Sequence, residues 1–116
     1  MSPQTLVECR FFIPIHRDKS ISDGDSHPVT AWQWLHGELF EWFNGRTNSS
    51  AAIFEGDWKD EKGERVYDTS REYIVALPQD KVDELRKMLA KACSVFFQKC
   101  IYLSVKGDVE FVYPDC

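Results

Sequence analysis

The chain has 116 residues, 43% of them hydrophobic and 14% aromatic, including eight Phe, four Trp and four Tyr. That length fits one domain spanning 1–116, and its large apolar side chains suffice for a core without disulfide staples. Nineteen acidic residues against fourteen scattered basic ones give a formal charge of -5. This excludes nucleic acid as a partner, because phosphate backbones select clustered Lys and Arg, and it excludes a polybasic membrane anchor.

The opening residues Met1-Ser2-Pro3-Gln4-Thr5 carry no basic-then-apolar leader, and no apolar run approaches the ~20 residues of a membrane span. The expectation is a cytoplasmic protein without a membrane partner. The cysteines Cys9, Cys93, Cys100 and Cys116 form no Cys-x-x-Cys pair, so in a reducing compartment they are expected to be free thiols.

Between Thr5 and Ile15 the odd positions Val7, Cys9, Phe11, Ile13 and Ile15 are apolar, which predicts a strand covered on one face and ending near Pro14. From His16 to His27 turn formers dominate and a long loop is expected. Pro28 then starts a helix through Trp32, Leu35, Leu39, Trp42 and Phe43, closed by Asn44-Gly45. Trp34 and Phe40 lie off its apolar stripe. Ser50–Trp58 and Glu64–Leu77 read as a hairpin turning at Gly63, with Asp68-Thr69-Ser70 as a candidate bulge. After Pro78 the spacing of Val82, Leu85, Leu89, Ala92 and Phe96 predicts an amphipathic helix of about five turns. Ile101–Val105 and Val109–Tyr113 form a last hairpin around Lys106-Gly107-Asp108.

The order β-α-β-β-α-β with an added C-terminal strand resembles that of ferredoxin-like domains over essentially the whole chain. It predicts the α+β class, a split β-α-β antiparallel sheet with two helices on one face. The stretch Gly56-Asp57-Trp58-Lys59-Asp60-Glu61-Lys62-Gly63, followed by Ser70 and Tyr73-Ile74-Val75, resembles hairpins in small uncharacterised bacterial proteins of this fold. That resemblance implies a fold and no chemistry. RNA-recognition modules share the topology, yet the strand Ser70–Leu77 lacks their Lys/Arg-Gly-aromatic run.

The His16–His27 loop gathers two imidazoles with Asp18, Asp23 and Asp25, groups suited to proton transfer. Metal is not expected there. With Gly24 at the sixth place of a calcium loop, Lys19 and Thr30 would occupy the first and last, and the eleven-residue separation of the histidines is no tight zinc pattern. No cofactor is implied. His36 on the first helix reads as a packing group. Arg10, Phe12 and Tyr102, with Glu8 and Ser104, are expected on the sheet face away from the helices, and with Trp34 and Phe40 they give more aromatic surface than one core needs.

These features predict a small non-catalytic binding or self-associating module, a homodimer built on Trp34, Phe40, Arg10, Phe12 and Tyr102. The alternative is a small enzyme with a small-molecule ligand, drawing catalytic groups from His16, His27, Asp23, Asp25, Arg71 and Tyr73. A third is a component that works only within a complex.

Overall fold

The computed structural model describes residues 5–48 and 54–115. The expected start of a strand at Ser50 and the thiol of Cys116 lie outside the described residues. Among the described residues six strands and two helices follow one another: β1 (Leu6–Pro14), α1 (Val29–Phe43), β2 (Thr47–Asn48), β3 (Phe54–Lys59), β4 (Arg65–Pro78), α2 (Val82–Val95), β5 (Ile101–Val105) and β6 (Asp108–Val112). The protein is of the mixed α+β class, with an antiparallel sheet ordered β2-β4-β1-β5-β6 and β3 also paired to β4.

β1 takes its central place because Val7, Cys9, Phe11 and Ile13 are all buried on one side of it. Pro14, which has no amide to donate, is its last residue. α1 contributes Ala31, Leu35, Leu39 and Phe43 to the same core. α2 contributes Val82, Leu85, Met88, Leu89, Ala92 and Cys93. Both helices therefore cover one face of the sheet. Pro28 precedes α1 in an extended conformation rather than opening it, and its carbonyl accepts from Ala31 N at 3.0 Å. Asn44, at φ 61, closes it.

β4 is the hub. Its residues 70–78 pair with β1, from Leu6↔Pro78 to Pro14↔Ser70, while residues 65–70 pair with β3, from Lys59↔Arg65 to Phe54↔Ser70. Ser70 thus has a partner on each edge and no residue is skipped. The bulge expected at Asp68-Thr69-Ser70 is absent, because both neighbouring ladders hold the chain extended there. The short strand β2 went unforeseen, since two residues carry no period. α2 is shorter than five turns: its 14 residues are preceded by a 3₁₀ turn at Gln79–Lys81 and stop before Phe97, whose φ is 52. The last hairpin turns on Lys106 (φ 54) and Gly107 (φ 87), the paired positive angles of a tight two-residue turn.

The face of the sheet away from the helices carries an aromatic row. Phe54, Phe12, Tyr102 and Phe111 meet edge to face, with ring centroids 5.4, 5.2 and 5.9 Å apart in that order. Arg10 beside them pairs with Glu8 at 2.7 Å and faces Glu72 at 3.9 Å. Phe40 on the outer side of α1 is exposed, and Trp34 packs partly against the core.

Candidate functional site

The residues after β1 form an ordered, hydrogen-bonded loop. Asp18 folds it locally: its Oδ1 accepts from the Ser20 amide at 2.8 Å and the Ser20 hydroxyl at 2.7 Å. Arg17 donates to both carboxylate oxygens of Asp23, at 2.7 and 2.8 Å, and this pairing holds Asp23 below the usual carboxylate range. The loop is also anchored to the end of α2. Gln98, 6% exposed, donates from Nε2 to the carbonyls of His16 at 2.8 Å and Phe96 at 2.9 Å, while Asp18 N donates to Phe97 O at 3.0 Å.

Between this loop, the β3–β4 hairpin and the Gln98–Lys99 connection lies a cleft of about 840 Å³. His16, Asp18, Trp58, Tyr67, Asp68 and Lys99 are among its walls. Ile15 N donates to Thr69 O at 2.9 Å, extending the β1–β4 register past Pro14↔Ser70, so that His16 comes opposite Asp68. Burial pushes the Asp68 carboxyl up to about 6; Asp18 adds to the rise, while the Thr69 amide and His16 oppose it. At neutral pH such a group exchanges a proton readily, and it faces a concave surface. Lys99 reaches across to Glu61 at 3.2 Å, tying the hairpin to the segment after α2.

The other sequence-derived candidates fall elsewhere. His27 turns inward, 8% exposed, donating from Nε2 to Pro14 O at 2.7 Å and packing edge-on against Trp32 and Phe96. Burial lowers its pKa, and its Nδ1 has no partner among the described residues. Asp23 serves the loop itself, and Asp25 stays exposed, 3.9 Å from Arg17. Tyr73 belongs to the core, stacked on Phe11 with its hydroxyl 2.8 Å from His36 Nε2. Arg71 lies over the Trp32 ring. Only His16 of the six catalytic candidates lines the cleft. Asp68 and Gln98 were missed. The signal for Asp68 was the β1–β4 register, which pairs positions summing to 84; Gln98 is 82 residues from its partner and gave none.

Cys9 and Cys93 are buried and Cys100 partly so, all as free thiols. Burial raises all three, Cys93 to about 12, and its thiol donates to Val112 O at 3.4 Å. None is primed as a nucleophile. Among the described residues no three His, Cys, Asp or Glu gather in a way that could hold a metal. No helix among them is long and apolar enough to cross a membrane.

Two solved structures share this fold. A phage SAM lyase in complex with S-methyl-5'-thioadenosine superimposes with a TM-score of 0.70 at 11% identity, covering 97% of this chain and 93% of that one. A phage SAM lyase in its apo state gives 0.64, also at 11% identity, over 100% and 97%. No protein-family model matches the sequence, and no curated protein does. At this identity the likeness is one of fold. It nonetheless corrects the expectation of a non-catalytic module: both of these fold neighbours are named as lyases. The small-enzyme alternative is the better supported reading.

Proposed function

We propose that the protein is a small lyase acting on a sulfonium nucleoside of the SAM type, with the cleft beside the β3–β4 hairpin as its active site. The observation that carries this reading is Asp68, a carboxyl raised to about 6 that lines the cleft next to His16, its neighbour across the β1–β4 register. The fold neighbours supply the substrate class. SAM bears a positive sulfonium, an ammonium, a carboxylate and an adenine ring. Ionised Asp68 is the acceptor for its cationic groups, and the rings of Trp58 and Tyr67 offer faces to a cation or to adenine. In the reaction the four-carbon fragment's own carboxylate oxygen attacks the carbon bound to sulfur, and as that C–O bond closes a lactone the S–C bond breaks with its electron pair going to sulfur. A neutral thioether, S-methyl-5'-thioadenosine, then leaves. The task of the site is to orient the fragment and keep competing water away.

Three finer readings go with this proposal. The strand order, with β1 between β4 and β5, supports a split β-α-β arrangement extended by β6. The shared core supports one domain. A small polar substrate of this kind fits a protein of the cytoplasm.

The test is to incubate the purified protein with SAM and follow S-methyl-5'-thioadenosine by chromatography and mass spectrometry. Release of the thioether is expected, rising with pH around a midpoint near 6 as Asp68 ionises. Asp68→Asn is expected to lower kcat/KM by roughly tenfold or more. Absence of both thioether release and calorimetric binding of SAM at millimolar concentration would overturn the reading.

A further inference from the structure

Arg71 and Tyr73 lie outside the cleft, on the helix side of β4 where α1 passes over them. The Arg71 guanidinium carbon sits 4.3 Å from the Trp32 ring centroid. Tyr73 is fully buried and shares a 2.8 Å hydrogen bond with His36 Nε2. Trp32 and His36 are four residues apart on α1, so the indole and the imidazole present themselves to β4 together. Stacking engages the face of the guanidinium and one N–H is directed at the Tyr73 hydroxyl, which leaves its other in-plane donors at the edge.

Charge makes the arrangement unusual. Arg71 is half-buried, and among the described residues no carboxylate lies within ion-pair distance of it. A partly desolvated cation is ordinarily matched by a counter-charge. Both Arg46 and Arg71 act on His36 and on Tyr73, and no carboxylate is among the charges that do. Burial, reinforced by the two arginines, lowers the His36 pKa, so its ring is neutral at neutral pH. An anion seated here would meet a planar fork of donors and an imidazole able to gain a proton.

We propose that Arg71, laid on Trp32 beside the Tyr73–His36 pair, forms a binding site for a small oxyanion, a carboxylate or a phosphate, separate from the cleft. Both chemistries match the fork geometry of a guanidinium. The inference does not rest on the lyase reading.

The test is NMR of the intact protein at constant ionic strength, following the His36 ring and the Arg71 side-chain resonances. Acetate and inorganic phosphate are added separately, with chloride as the control. A saturable shift of both groups, with an upward move of the His36 titration midpoint, is expected for at least one anion; acetate alone assigns the site to carboxylates and phosphate alone to phosphates. Arg71→Lys keeps the charge, loses the fork and should weaken binding about tenfold, whereas Arg71→Gln should abolish the response. Should Arg71→Gln fail to fold, Arg71→Lys and the wild-type titrations carry the test. Asp68→Asn, which addresses the cleft, should leave the response unchanged. No saturable response to either anion in the wild type, or the same response in Arg71→Gln, overturns the proposal.

Discussion

Asp68 ties stability and chemistry together at a single carboxyl. Its folded-state pKa of about 6 lies above the ordinary value of 3.8, so folding favours its protonated form. The fold therefore loses stability as pH rises through the interval between those values. His27 and His36 act with the opposite sign: burial lowers both, so each costs stability as pH falls below its unfolded value of 6.5. Comparing Asp68→Asn with the wild type isolates the carboxyl from these opposing groups. The variant should be more stable by about 1–2 kcal/mol near pH 7.5, after solvent screening is allowed for, and equal to the wild type near pH 4. Urea unfolding at the two pH values reads this directly. Equal stability at both would mean that Asp68 is hydrated as in an ordinary surface site. The sequence alone did not disclose this residue, since its neighbour His16 is 52 positions away and depends on a register that becomes visible only once β1 and β4 are paired.

At the scale of elements, the loop after β1 and the end of α2 behave as one unit. The turn formers between His16 and His27 were legible, as were the period of α2 and the odd-position stripe of β1. Their joint was not, because Gln98 makes a side-chain contact that no local period encodes. Its two bonds tie the carbonyls of His16 and Phe96 to one buried amide, and Phe97 accepts from Asp18 while held at φ 52, a conformation disfavoured for any side chain. Gln98→Leu preserves most of the volume and removes both donors, so it should cost about 1–3 kcal/mol. It should also loosen the loop. Limited proteolysis between Arg17 and Asp25 is expected to quicken more than cleavage elsewhere in the chain. A loss of stability with uniform proteolysis would show that Gln98 serves only the core and leaves the cleft wall in place.

At the scale of the molecule, the net charge of -5 joins the cleft to its proposed substrate. The same acidic balance that tells against a phosphate backbone favours a ligand of opposite charge, and SAM carries a net charge of about +1 near neutrality. Attraction between an acidic protein and a cationic ligand raises encounter rates and is screened over a Debye length of about 10 Å at 0.1 M salt. Chemistry inside the cleft is shielded from that screening, because Asp68 and the loop groups act at close range. Raising ionic strength from about 0.02 to 0.3 M should therefore increase KM for SAM severalfold and leave kcat nearly unchanged. Steady-state kinetics across a chloride series decides it. A KM that is flat or falls with salt would place the determining contacts in the aromatic walls, Trp58 and Tyr67, rather than in the charge field. A parallel fall in kcat would instead point to Lys99–Glu61, the exposed pair that closes one side of the cleft, as the salt-sensitive element.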